Sequence, residues 1–145
     1  MSIHANNFPD EIDADEVEYL YIEKSLIIGA GQGLYTAISI HKNEVISIFR
    51  GELLHVKYAN KRIELRQDNF FMNLPNGKIL DAKNTDCFAK YANDANGIQS
   101  SAYKNNALIT INHKKQICLV AKVNIKAGSE IFCSYGKAYW LHHLG

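Results

Sequence analysis

The feature that most constrains this chain is punctuation. Short runs rich in Val, Ile, Leu, Tyr and Phe recur about every ten residues, each ended by Gly, Asn, Pro or a polar cluster. Strand-like runs are read at 17–28, 34–40, 45–49, 70–74, 78–81, 107–112, 116–124 and 130–134. Pro75-Asn76-Gly77 and His113-Lys114-Lys115 sit between two pairs of these runs as hairpin turns. A single helix is predicted, over Leu53–Gln67, where Leu54, Tyr58, Arg62 and Leu65 recur at helical spacing without Gly or Pro. Asp86–Asn93 and Lys137–Leu144 read as one helical turn each, and Gly97–Asn106 as a polar loop. Parallel winding would need a helix between successive strands, so the pattern predicts a mainly β fold with short helices.

The chain's 145 residues, 47% hydrophobic and 21% charged, suit one globular domain. Residues 1–16 are polar and then acidic, and read as a flexible tail preceding one domain over 17–145. That opening lacks the basic and apolar regions of a signal peptide. The longest uncharged window, Ser25–Ile40, is 16 residues with three glycines, too short and polar to span a bilayer. An intracellular protein is expected, nuclear or cytoplasmic, and a microbial enzyme acting inside a host fits equally. Sixteen basic against fifteen acidic residues give no bulk attraction to nucleic acid or an anionic membrane. Cys87, Cys118 and Cys133 are odd in number and lack paired spacing, which argues against a disulfide framework or a structural zinc site.

Familiar catalytic signatures are missing. Gly31-x-Gly33 has Thr36 where a dinucleotide loop needs a third glycine, and a strand-like run follows it. Taken alone the glycine pair is a turn that would also let a ligand approach the backbone. No Gly-x-Ser-x-Gly elbow occurs, and the six histidines form no metal-binding pattern.

Short segments in a fixed order say more. Gly31-Gln32-Gly33-Leu34-Tyr35 comes first, then Glu44–Glu52 with Phe49-Arg50-Gly51-Glu52. Leu80-Asp81-Ala82 and Cys87–Ala95 follow, the latter containing Asn93-Asp94-Ala95. Asn105-Asn106-Ala107 and Leu119–Ile131 lead into Ser134-Tyr135-Gly136, and Tyr139-Trp140 come last. In this order they resemble a SET domain, the protein-lysine methyltransferase family, over roughly Ile22–Trp140. The resemblance implies small curved sheets and a knot-like crossing, where the Asn-His-Ser segment meets the segment ending in the C-terminal Tyr.

It also implies S-adenosyl-L-methionine as cofactor and a protein or peptide lysine, on a histone or another protein, as substrate. Gly31, Gln32 and Gly33, with Tyr35 beside them, match the cofactor loop. Asn93 matches the Asn that binds the cofactor's amino-acid end, and Asp94 follows it with a main-chain contact. Tyr135 matches the active-site Tyr, and Trp140 or Tyr139 the aromatic against the adenine. Phe49 falls where many members carry Tyr, and the resemblance implies that Phe49, Tyr135 and Cys133, two residues before Tyr135, border the lysine channel. No metal is implied.

Two departures stand out. Asn-His-Ser reads Asn93-Asp94-Ala95, and no Cys-rich zinc-binding segment follows Tyr135. They motivate an alternative, a catalytically silent SET fold that binds a peptide or protein. For Asp94 two side-chain roles compete: capping a local turn, or attracting a cationic cofactor or substrate.

Overall fold

The computed structural model describes residues 8–65, 71–73, 79–81, 85–96 and 102–134. Its elements run in the order α1 (Glu16–Tyr19), β1 (Leu20–Lys24), β2 (Gln32–Thr36), β3 (Val45–Ile48), β4 (Glu52–Leu54), α2 (Val56–Glu64), β5 (Phe71–Asn73), β6 (Ile79–Asp81), a 3-10 turn (Ala89–Tyr91), β7 (Ala107–Ile111), β8 (Ile117–Ala121) and β9 (Glu130–Ile131). The strands form three small antiparallel sheets, ordered β1-β2-β9, β3-β8-β7 and β4-β6-β5.

The main core joins the first two sheets. Leu34 and Ile131 from the first meet Ile46, Phe49, Leu119 and Ala121 from the second or its flank, and Ala89 of the 3-10 turn and Ala92, which caps it, close the cluster. Burying each large aliphatic side chain contributes about 1.5–3 kcal/mol. All five residues of β8 are buried, as its uninterrupted apolar run Ile117–Ala121 implies for a central strand.

Two local expectations shift. The helix starts later than the periodicity suggests, because Leu53 and Leu54 pair with Leu80 and Ile79 as β4. Cross-strand pairing takes the first residues, and His55 then caps α2 by accepting from the Lys57 N–H at 3.3 Å. Val17–Tyr19 is helical rather than extended, with the Asp15 N–H held by the Glu18 carboxylate at 2.8 Å. The Asn93 region gives a 3-10 turn, and the 113–115 hairpin forms as read. The Pro75-Asn76-Gly77 turn, most of Gly97–Asn106's first half and Lys137–Leu144 lie outside the described residues.

The acidic segment is not a free tail over residues 10–16. Asp10 bridges to Glu44, its N–H donating to Asn43 O at 2.9 Å and its carbonyl accepting from the Val45 N–H at 2.7 Å. Ile12 packs against the main core. Glu16 accepts from the Ser47 hydroxyl and, at 3.1 Å, from the Ile48 N–H. The run of like charges suggested solvation, but one carboxylate in it satisfies the exposed edge of β3.

Glu16→Ala should therefore lower unfolding stability by about 1–3 kcal/mol, the cost of orphaning a charge-assisted acceptor's partners. Asp13→Ala, at an exposed position, should stay within about 0.5 kcal/mol. Urea unfolding of both variants checks this; equal, negligible effects would return the segment to solvent.

Candidate functional site

The resemblance places the loop at Gly31–Gly33 near Asn93, and the structure brings them together. The Asn93 side-chain amide donates to the Gln32 carbonyl at 2.9 Å, across 61 positions of sequence. The Asn93 backbone pairs in parallel with Phe132, and its carbonyl accepts from the Cys133 N–H at 2.9 Å. On the other side of that segment, the Asn106 and Ala107 N–H groups both donate to Phe132 O at 2.9 Å. Residues 132–133 thus run between the 93 segment and the 106–107 segment. This is the crossing that the resemblance implies, and the chain leaves it at Ser134 toward Tyr135.

Asparagine amides lock the crossing. Asn106 donates from Nδ2 to Glu130 O at 3.0 Å and accepts at Oδ1 from the Phe132 N–H at 2.8 Å. It therefore serves β9's backbone as a neighbouring strand would. Asn105 accepts from the Ala95 N–H at 2.8 Å and donates to Asp94 Oδ1 at 2.9 Å. Asp94 Oδ1 also accepts from the Asn96 N–H at 2.9 Å, closing a local turn. Of the two roles open to Asp94, the structure displays the turn. It adds an ion–amide bond to Asn105 that sequence spacing did not suggest.

Two glycines of the loop have different reasons. Gly31 has φ of +75°, where a side chain would strain the backbone. Gly33 is extended, and a Cβ there would meet Glu130 Oε2 at 2.2 Å. Protein, not open space, fills that position. The loop's openness to a ligand is on Gly31's side, where a Cβ would meet none of the described residues within 4 Å.

The other expected site residues divide. Tyr35 is buried, stacks on Tyr21 with ring centres 5.5 Å apart, and donates to Lys24 O at 2.6 Å. It also lies 3.3 Å from Glu130 Oε1, so its hydroxyl is engaged by protein rather than presented to a ligand. Burial, and then the Glu130 carboxylate, pushes that hydroxyl up to about 12. Phe49 and Cys133 are both buried in the main core, where their side chains complete the packing between the sheets. Tyr135, Tyr139 and Trp140 lie outside the described residues.

Beside Gln32 a cleft of about 260 Å³ is lined by Ile22, Gln32, Asp86, Cys87, Phe88 and Tyr91. It adjoins the loop and the turn leading to Asn93. The donor set fits the amino-acid end of a zwitterionic cofactor: the Asn93 amide offers oxygen and nitrogen, and the backbone at Gly31–Gln32 is approachable. No group of three His, Cys, Asp or Glu that could hold a metal occurs among the described residues.

The ordered motifs contain Glu130, Asn105 and Asn106, but the sequence assigns their side chains no role. One signal was present: a glycine inside an apolar strand, Gly33, marks close approach by something else.

Residues 31–136 match the family model described as the SET domain. Over 109 residues the chain is 31% identical to histone-lysine N-methyltransferase EZ1 of Zea mays, covering 73% of this chain and 11% of that protein. It is 29% identical to histone-lysine N-methyltransferase CLF of Oryza sativa subsp. japonica, covering 73% and 12%. The chain thus spans 11% and 12% of the length of these curated relatives. The fold matches Chaetomium thermophilum Polycomb Repressive Complex 2 in an autoinhibited conformation bound to S-adenosylmethionine, with a TM-score of 0.64 and 27% identity over 81% of this chain and 15% of that one. A humanized mutant of the same complex bound to the inhibitor GSK126 gives 0.66 and 29% over the same shares.

Asp94→Ala should fold but lose about 1–3 kcal/mol, because the Asn96 and Asn105 donors lose their shared acceptor. Asp94→Asn, which keeps an acceptor oxygen, should recover at least half of that in a thermal melt. The neutral Tyr35 hydroxyl stabilises the fold fully below its ordinary value of 10, and this contribution fades as pH rises toward about 12. An alkaline unfolding titration should therefore fall less steeply over that interval for Tyr35→Phe than for the wild type.

Proposed function

The chain belongs to the SET-domain family, and we propose that it is a protein-lysine N-methyltransferase using S-adenosyl-L-methionine. One observation carries the reading: the Asn93 amide bonded to the Gln32 carbonyl at 2.9 Å. It joins the two segments that match the family's cofactor loop and Asn motif, beside a cleft.

The roles follow the donors. The backbone of Gly31 and Gln32 would hold the cofactor, Asn93 would hold its amino-acid end, and Trp140 or Tyr139 would cover its adenine. Asp94 contributes through its main chain while its side chain holds the turn. Gly33 and Tyr35 shape the loop from beneath, and Phe49 and Cys133 would border the lysine channel with Tyr135. When bound, S-adenosylmethionine supplies a methyl group activated by its sulfonium.

The protein's own task is with the lysine. A free lysine has a pKa near 10.4, so about one in a few thousand is neutral at pH 7. A narrow apolar channel favours the neutral amine by desolvation. The Tyr135 hydroxyl can hydrogen-bond the amine and aim its lone pair. Near-attack alignment then does most of the remaining work. The relatives' names make a histone the first substrate to try, which would place the activity in the nucleus; another protein substrate would place it elsewhere in the cell. Asp94 is accommodated by Asn105 within the described site, so this departure does not favour the silent binding module.

Calorimetry should give one S-adenosylmethionine per chain, and labelled cofactor should transfer methyl to histones or to a lysate protein. Tyr135→Phe should slow transfer at least about tenfold, one hydrogen bond in the barrier, while cofactor binding changes less. The wild-type rate should rise from pH 7 to pH 9 as the substrate amine loses its proton. Binding without transfer to any protein would leave the silent module; absence of binding at millimolar cofactor would remove both cofactor and enzyme.

A further inference from the structure

Glu130 is a carboxylate with 2% of its surface exposed. Burying a charge is costly unless hydrogen bonds replace its water. Here they come from one place. Oε2 accepts from the Ser25 hydroxyl at 2.7 Å, and Oε1 accepts from the Leu26 N–H at 2.7 Å and lies 3.3 Å from the Tyr35 hydroxyl. Ser25 and Leu26 open the loop that ends at Gly31, and Tyr35 stands on the strand leaving it. The loop is closed on itself by the Ser25 N–H donating to Gly31 O at 2.8 Å, and by the Ile27 N–H donating to Ser25 Oγ at 3.1 Å.

The loop is therefore held at two points. Glu130 holds its entry, and the Asn93 amide holds its exit at Gln32. Both holds trace to one stretch of chain: Glu130 starts β9, and the next residues, Phe132 and Cys133, pair with Asn93. Gly33 is part of the same device, since only a residue without a Cβ leaves room for Oε2.

We infer that Glu130 is a positioning residue, whose carboxylate sets the glycine loop relative to Asn93 and so tunes cofactor affinity. The inference rests on the reading of that loop as the S-adenosylmethionine site. Both carboxylate oxygens are used as acceptors, so an amide cannot replace them: one end would present N–H to another donor.

The test uses the full chain and three variants. Glu130→Gln should raise the KM for S-adenosylmethionine about tenfold, one charge-assisted bond's worth, with kcat at saturating cofactor within about threefold. Ser25→Ala, which removes one donor and leaves the carboxylate, should show the same split at about threefold and carries the test if Glu130→Gln does not fold. Gly33→Ala should weaken cofactor binding in the wild-type background and add less in a Glu130→Ala background, where the two carboxylate clashes are gone and the Ser25 Cα at 3.3 Å remains. Hydrogen exchange without cofactor should quicken at residues 25–33 in Glu130→Gln or Ser25→Ala and stay unchanged in the β7–β8 hairpin.

An unchanged KM with reduced kcat would mean that Glu130 only maintains the folded fraction, and would overturn the inference. So would unchanged exchange in the loop. A wild-type chain that gives no heat with S-adenosylmethionine sinks the methyltransferase reading instead. Exchange then decides the clamp alone: faster exchange at 25–33 upholds it, and unchanged exchange overturns it.

Discussion

A buried carboxylate demands donors, and Glu130 draws them from the far end of the chain. Ser25 and Leu26 lie more than a hundred positions away. The demand is local and strong, and meeting it brings β1, β2 and β9 into one sheet. β9 has two residues, too few to specify its own pairing by side-chain alternation. The carboxylate at its first position supplies that specification. From there the Asn106 amide takes over, bonding Glu130 O and the Phe132 N–H as a strand would. Sheet and crossing are consecutive consequences of one residue's solvation.

The crossing shows how the backbone accommodates Asp94. Where the family pattern has His, a smaller acid is turned toward Asn105 and the Asn96 N–H. Asn105 answers by accepting from the Ala95 N–H. These bonds hold the backbone on the C-terminal side of Asn93, while the Asn93 carbonyl receives Cys133. The Asn93 side chain is left pointing at Gln32. In this chain the variant motif is thus held by Asn105 and its own local turn.

Much of this was legible, and the limits have physical causes. Strand runs and the 113–115 hairpin are local, so the period-2 pattern and turn chemistry report them. The order of motifs pointed to Asn93 beside Gly31–Gly33. What stayed hidden was long-range. The first residues of the expected helix went to β4 because Leu53 and Leu54 had strand partners at Leu80 and Ile79. Residues 10–16 looked solvated because charge counts cannot show that Glu16 meets Ser47 and the Ile48 N–H. The burial of Cys133 and Phe49 in the main core depends on sheets that neither the resemblance nor residue spacing describes. Glu130 was one acid among fifteen in the sequence, and only Gly33 hinted that something lay against β2.

The proposed chemistry is consistent with a site made of amides and backbone rather than of an acid–base pair. Transfer from a sulfonium releases a neutral thioether, so no side chain must protonate a leaving group. The nucleophile is a neutral amine, so the need is to shed its proton to solvent before alignment, not to hold a base at the moment of attack. What remains is geometry, and geometry is what Glu130, Asn93, Asn105 and Asn106 supply. A misplacement of even about 1 Å in such a site is costly in rate. That sensitivity accounts for a scaffold that spends four polar side chains on positioning two backbone segments.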